Sequence, residues 1–345
     1  MPTWEAALAP FLHGQRLCLD LREKQAFADG HLAHAVHIHG KDALASRFST
    51  LPARGVAFVV LCADGALQDT IALFQPPERW DIVGVFGLGS EEHIVEGIHP
   101  GYAVALPAFA QWAQAHGIWR SGANPRGADD APALLFAPAP VVARACAWWD
   151  ARHEHGTHTL LDVGCGAGRD ATFLLARGQT HWHATTMDRW RAALERAKVL
   201  LEDNGLLARA SVLEAAITDT GALRMHDTVY PFSEAPLPHA MYDMVLLIRY
   251  WNMALLQHIP KRVAPGGLVV LSHFVHEPRS AQGLVVEATL THYDTPPIAA
   301  RIQPGDIECL CAAWQAFGVW HVLENRIEPI EDKRPVQSVL FYRSA

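Results

Sequence analysis

The stretch Leu160–Asp170, LLDVGCGAGRD, decides how this chain is read. Apolar residues flank an acid, Asp162, and glycines follow at Gly164, Gly166 and Gly168. A helix-like segment, RDATFLLARG, begins at Arg169. Strand, glycine turn and helix in that order bring a ligand to backbone N–H groups at a helix N-terminus. Glycine permits the tight turn and the close approach because it has no Cβ. The next predicted strand, HWHATTMD, ends on Asp188, 20 residues after Gly168. In nucleotide-binding α/β folds an acid at about that spacing accepts bonds from the ribose hydroxyls.

Outward from this stretch, strands and helices alternate. Downstream, RWRAALERAKVLLEDNG is an amphipathic helix ending at Gly205, YDMVLLIRYW an apolar strand, and ALLQHIPKRVAPGG a helix running into a Pro-Gly-Gly turn. LVVLSHF is a further strand, and VQSVLFYRS closes the chain as an edge or terminal strand. Upstream, RLCLDL, AVHIHG, VAFVVLCADG and WDIVGVFGLGS read as strands, with EKQAFADG a short helix closed by Gly30 and KDALASRFSTL helical. Between the halves, Arg120–Ala133 (RSGANPRGADDAPA) lacks apolar periodicity and has linker chemistry. The expectation is α/β, two tandem domains with parallel sheets: residues 1–119, a linker over 120–133, and residues 134–345.

Bulk properties narrow the function classes. Half of the 345 residues are apolar, 19% are charged, and the net charge is -8, which argues against a nucleic-acid partner. No apolar run reaches the ~18–20 residues of a membrane helix, and the N-terminus lacks the pattern of a signal peptide. A cytoplasmic protein with no membrane partner is the expectation. The six cysteines (Cys18, Cys62, Cys146, Cys165, Cys309, Cys311) are too scattered for a disulfide framework. The 20 histidines show no zinc-site spacing, so no metal is expected.

Dinucleotide sites use G-x-G-x-x-G, whereas this loop reads G-C-G-A-G after an acid. DVGCGAGRD resembles motif I of the class I S-adenosylmethionine-dependent methyltransferases. The resemblance implies a Rossmann-like sheet with S-adenosylmethionine as cofactor. Its methionine part would pass the glycine loop, and its ribose would be held by the acid after strand two. Asp162, Gly164, Cys165, Gly166 and Asp188 carry that match. Segments across residues 135–343 look like the tellurite-resistance-type branch, of which GRD, with Arg169 as a further cofactor-site candidate, is typical. The family usually has an acid near the adenine after strand three. A short alignment puts Val212 there and a longer one Asp227; spacing favours the first and chemistry the second. At the end of strand five, Ser272 and His273 stand where relatives often carry an acid and a threonine. Arg249, Tyr250 and Trp251 follow strand four, where ligands bind in such sheets, and are candidates for an acceptor site. Arg249 interrupts an apolar strand, and a buried charge there would need a partner.

In the first half, CLDLREKQAFADGHLAHAVHIHG followed by VAFVVLCADGALQDT resembles a rhodanese domain over residues 10–95. The matching parts are Asp20-Leu21-Arg22, Phe27, Gly30-His31 and Cys62. In active members of that family the cysteine carries a persulfide, and the loop after it presents N–H groups and basic side chains to an anionic donor. Here the loop from Cys62 to Gln68 has no Arg or Lys and adds Asp64, which disfavours both a thiolate and an anion. The leading expectation is methyl transfer from S-adenosylmethionine to a small acceptor, with the rhodanese-like domain inactive and hinting at a thiol or other soft nucleophile. A non-catalytic cofactor-binding protein and a sulfurtransferase using Cys62 are the alternatives. The sequence gives no oligomeric state.

Overall fold

The computed structural model describes the chain apart from residues 1–2, 14–16, 54, 75–79, 91–92, 96–99, 123–132, 154–155, 178–180, 276–293 and 332–333. It comprises two compact units, Met1–Ala137 and Pro138–Ala345. Both are α/β.

The first unit holds a six-stranded sheet: β1 (Leu17–Asp20), β2 (Val36–His37), β3 (Ala57–Ala63), β4 (Asp81–Gly89), β5 (His93–Val95) and β6 (Gly101–Ala105), in the order β2-β1-β3-β4-β6-β5. All neighbours are parallel except β5 and β6. β3 is apolar throughout because both of its faces are covered. Phe58, Val60 and Cys62 enter the core on one side, Val59 and Leu61 that on the other. Helices α1 (Lys24–Asp29), α2 (Lys41–Ser46), α3 (Leu67–Leu73) and α4 (Leu106–Ala115) connect them.

Gly30 ends α1, but not by a left-handed turn: its φ is 173°, ordinary extended backbone. A Cβ there would fall 2.0 Å from Cζ2 of Trp119, so the ring of Trp119 is what requires glycine. Trp119–Arg120 pairs antiparallel with His31–Leu32. Leu135 is buried in the core of this unit. The stretch expected as linker is therefore anchored to the first unit at both ends; its middle lies outside the described residues.

The second unit contains α5 (Pro140–Asp150), β7 (Thr157–Val163), α6 (Arg169–Ala176), β8 (His181–Asp188), α7 (Arg191–Asp203), β9 (Ala210–Glu214), β10 (Tyr242–Ile248), α8 (Met253–Leu256), β11 (Val263–Phe274), α9 (Asp306–Trp314), β12 (Trp320–Pro329) and β13 (Pro335–Arg343). The sheet order is β9-β8-β7-β10-β11-β13-β12. The first five of these strands are parallel, and β13 runs antiparallel to both neighbours. β13 is the last strand of the chain, yet it lies inside the sheet; the edge is β12. The strand order reverses at β7, between β8 and β10, which is where such sheets open a crevice beyond their carboxyl ends.

Two differences from expectation have local causes. The helix expected over ALLQHIPKRVAPGG shrinks to α8 and a 3₁₀ turn, Ile259–Arg262, because Pro260 cannot donate to a continuing helix. Between β9 and β10 the chain makes a small antiparallel meander, Ala216–Ile217, Leu223–Met225 and Thr228–Tyr230.

Candidate functional site

The loop from Gly164 to Gly168 explains its own glycines. Gly164, Gly166 and Gly168 have φ of 71°, 55° and 74°, a region that costs an L-residue about 1–2 kcal/mol. Their surroundings differ. A Cβ on Gly164 would fall 2.4 Å from Cδ2 of Tyr250, and one on Gly168 would fall 3.0 Å from Cβ of Ala197 on α7. A Cβ on Gly166 would meet nothing within 4 Å. Gly164 thus admits the tyrosine ring, Gly168 lets α7 approach, and Gly166 stands over open space.

The N–H groups of the loop are largely taken. Those of Gly164 and Cys165 donate to the carbonyl of Met187 at 2.9 and 3.0 Å, and that of Gly168 to Cys165 at 2.9 Å. The N–H of Gly166 donates to Oδ2 of Asp188 at 3.0 Å. Oδ1 of the same carboxylate accepts from Trp190 N–H at 2.8 Å. Asp188 therefore clamps the glycine loop to the turn that follows β8. Each of its oxygens keeps a second lone pair. Four N–H groups of the loop, those of Gly164, Cys165, Gly166 and Gly168, are thus engaged within the protein.

Above the clamp lies a cleft of about 420 Å³, within the size range of small-ligand sites. Val163, Gly164, Met187, Asp188, Arg189 and Trp190 line it from the β7 and β8 side. Ala215, Ala216, Ile217 and Asp219 come from the segment after β9, and Arg249, Tyr250, Trp251 and Asn252 from the end of β10. Trp190 is exposed, with the guanidinium of Arg189 over its ring.

The structure brings Gly164, Asp188, Arg249, Tyr250 and Trp251 to one cleft. Other candidates stand elsewhere. Asp162 is buried beneath the loop; burial first, then Asp170 and Asp188, raise its pKa. Cys165 is part-buried, and burial followed by Asp162 and Asp188 raises its thiol pKa far above the usual range. Arg169 opens α6; burial, then its neighbour Arg249, weigh against its charge. Val212 sits in mid-strand opposite Thr186, and Asp227 is exposed in a hairpin turn. Neither lines the cleft. The acid that does is Asp219. The register points to it, because Glu214 pairs with Asp188 at the strand ends and the chain then runs on into the cleft.

Arg249 corrects a second expectation. The strand ends at Ile248, and Arg249 is exposed just beyond it with φ 56°. It is not a buried charge within the strand. Ser272 and His273, at the end of β11, are occupied structurally: Ser272 Oγ lies 3.2 Å from Ser338 Oγ, and His273 Nε2 lies 2.9 Å from the carbonyl of Ala300. Burial lowers the His273 pKa to about 4. Asp170, quoted only as part of GRD, accepts the N–H of Ala139 at 2.7 Å and so ties the start of α5 to α6.

In the first unit, Cys62 is buried at the end of β3. A 3₁₀ turn, Asp64–Ala66, runs straight into α3. Asp64 leans on β4, where a Cβ on Gly89 would come within 2.5 Å of it. Burial raises the Cys62 pKa to about 12; Thr70 and Arg22 pull it down, while Asp20 and Asp64 push it further up. The Asp20-Leu21-Arg22 motif forms a buried brace. Arg22 pairs with Asp20 at 2.7 Å and donates to the carbonyl of Gly30 at 2.8 Å. Among the described residues no group of three or more potential metal ligands occurs, and no helix is long and apolar enough to cross a membrane.

No protein-family model matches the chain. It is similar to the uncharacterized protein UNK4.09 of Schizosaccharomyces pombe, 24% identical over 354 residues that span 95% of this chain and 94% of that one. Among solved structures it is similar in fold to a SAM dependent methyltransferase from Aquifex aeolicus, at 13% identity and TM-score 0.37 over 58% of this chain and 88% of that one. A SAM-dependent methyltransferase from Geobacter sulfurreducens, in complex with S-adenosyl-L-homocysteine, is 14% identical with TM-score 0.35 over 56% and 68% of the two chains. The 4+2 cyclase SpnF is 13% identical with TM-score 0.40 over 59% and 80%.

The packing of Tyr250 on Gly164 is testable. Gly164→Ala should destabilise the second unit more than Gly166→Ala, which carries only the left-handed penalty of about 1–2 kcal/mol. Adding Tyr250→Ala to Gly164→Ala should recover at least ~1 kcal/mol in a denaturant double-mutant cycle. No recovery would show that the ring does not pack there.

His273 sets a pH dependence. Its folded pKa of about 4 lies below the unfolded 6.5, so its contribution is complete above pH 6.5 and declines as pH falls toward 4. Between pH 7 and 5 the wild type should lose about 2 kcal/mol more than His273→Gln, read from the unfolding of the second unit. Asp162 and Asp170, whose pKa values are raised, act in the opposite sense in both proteins. Equal losses in wild type and variant would remove His273 from the effect.

Proposed function

We propose that the second unit binds S-adenosylmethionine in the cleft above Asp188 and transfers its methyl group to a small acceptor. The observation that carries this reading is the Asp188 clamp. One carboxylate organises the glycine loop, faces the cleft and keeps a lone pair on each oxygen for a vicinal diol. A diphosphate would need loop N–H donors, and those of Gly164, Cys165, Gly166 and Gly168 are bonded within the protein. A sulfonium amino acid needs surface more than donors. The open face at Gly166 and the apolar walls from Met187, Ala215, Ala216 and Ile217 suit a nucleoside of that kind. This agrees with the motif I resemblance of DVGCGAGRD.

When bound, the cofactor supplies an electrophilic methyl on sulfur. The chain's part is to hold ribose at Asp188, exclude water with Tyr250 and Trp251, and align the acceptor. The acceptor's lone pair forms the new bond to the methyl carbon, and the electrons of the broken carbon–sulfur bond remain on sulfur; a thiol reacts as its thiolate, having given its proton to solvent. Ser272 and His273 are engaged in the sheet and its neighbour, so no general base is assigned to them. The first unit is read as a rhodanese-like domain without sulfurtransferase activity. With a pKa of about 12, Cys62 is thiolate in roughly one molecule in 10⁵ at pH 7.

Calorimetry with S-adenosylmethionine tests the pocket. Asp188→Ala should weaken binding at least tenfold, about 1.5 kcal/mol, with far-UV circular dichroism retained. Unchanged affinity would contradict the assignment. Release of S-adenosylhomocysteine over a panel of small acceptors separates an enzyme from a binding protein.

The state of Cys62 has its own check. Thiosulfate and cyanide should give no turnover above that of Cys62→Ser, and alkylation of Cys62 in the folded chain at pH 7 should be far slower than that of a free thiol. Rapid alkylation or Cys62-dependent turnover would restore the sulfurtransferase reading.

A further inference from the structure

We propose that the acceptor half of the cleft selects a small anion and that Arg249 is the specificity-determining residue that pairs with it. The assignment rests on the cofactor reading above. It begins with an outlier. Among the described residues twelve glycines have positive φ, and the other residues that do are His34, His226 and Arg249. Glycine would adopt φ 56° without strain, and the chain uses it at each turn of the neighbouring loop. A long side chain kept where glycine would be easier indicates that the side chain is wanted.

The backbone is pinned there. Arg249 N–H donates to the carbonyl of Ser272 at 2.6 Å, which ties the residue to the end of β11 at the centre of the sheet. The residue lines the cleft beside Tyr250 and Trp251. Among the described residues the Arg249 guanidinium has no hydrogen bond and no ion pair. A second guanidinium, that of Arg169, is close enough for the two charges to oppose each other. The acids near them are Asp170, which is half-buried and already accepts the N–H of Ala139, and Glu331, which is exposed. Across the cleft Asp188 holds two N–H groups, Arg189 covers Trp190, and Asp219 is exposed.

A guanidinium has its donors in a planar fork that matches a carboxylate or similar oxyanion. The cofactor's sulfonium adds a positive charge beside it. A cationic acceptor would meet two like charges, whereas an anion would be drawn by both.

Three thiols of similar size that differ in charge test this on the full chain: 3-mercaptopropionate, 2-mercaptoethanol and cysteamine. Release of S-adenosylhomocysteine should show kcat/KM about tenfold higher for 3-mercaptopropionate than for 2-mercaptoethanol, with cysteamine last. Arg249→Asn, a residue that tolerates the left-handed backbone, should flatten the ranking, chiefly through KM. Arg249→Lys should keep the order with a smaller spread. S-adenosylmethionine binding is measured on the same wild-type sample. If it does not bind, the function reading falls and this assignment with it. If it binds and the ranking is flat or led by cysteamine, only the anion assignment falls. If no thiol is turned over, calorimetry of 3-mercaptopropionate against the chain saturated with S-adenosylhomocysteine decides. Binding lost in Arg249→Asn supports the assignment; no binding, or binding unchanged in that variant, overturns it.

Discussion

The second unit depends on a single carboxylate placed where two backbone turns meet. Asp188 ends β8, and its two oxygens hold the N–H of Gly166 on one side and that of Trp190 on the other. The loop after β7 would otherwise have to satisfy a run of left-handed residues by itself. The N–H groups of Gly164 and Cys165 turn to the Met187 carbonyl, one residue before the clamp. Strand end and loop are thus one hydrogen-bonded body. Charge-assisted bonds of this type are stronger than neutral ones, so the site is rigid on the side where a cofactor would lie.

The opposite wall is built differently. It follows the end of β10, where the backbone leaves the sheet through a left-handed arginine, a tyrosine packed on the Gly164 backbone and a tryptophan whose ring lies near that of His273. On β11, Ser272 Oγ is engaged with Ser338, and His273 is engaged through Nε2 with the Ala300 carbonyl. One wall is therefore fixed by backbone hydrogen bonds and the other by side-chain packing. Chemistry that needs alignment and the exclusion of water fits this division.

Much of this was legible in the sequence, for reasons that can be named. The three glycines were visible because left-handed backbone leaves few substitutes, and Asp188 because β8 ends a fixed distance after α6. Alternating apolar strands and amphipathic helices announced the α/β class in both units. What was not legible depends on tertiary neighbours. Gly30 is glycine because of Trp119, which lies far away in sequence. Asp219 becomes the acid at the cleft only through the pairing of β9 with β8, and neither Val212 nor Asp227 occupies that place. The edge strand β12, WHVLENRIEP, is half exposed and bulged beside β13, so its pattern has no clean period. β6 and α4 are rich in Ala, which marks neither a strand nor a buried face, and only Tyr102, Val104 and Phe109 show what they bury.

The two cysteines that sequence reasoning singled out teach the same lesson about motifs. Cys62 and Cys165 each occupy a position that a resemblance marks, and at each, burial together with nearby carboxylates holds the thiol protonated. A reactive thiolate needs the opposite surroundings, partial exposure and positive charge. In the first unit the nearest cation, Arg22, is consumed by Asp20 and by the carbonyl of Gly30. The Asp-Leu-Arg motif thus holds α1 against the sheet and leaves no free charge for the sulfur. In the second unit burial and the carboxylates of Asp162 and Asp188 act on Cys165, while Arg249 stands at the cleft beyond the end of β10. The one cation acting on Cys62 is thus held by Asp20, while Arg249 stands at the cleft. That placement, rather than the presence of any one nucleophile, is what the proposed transfer would draw on.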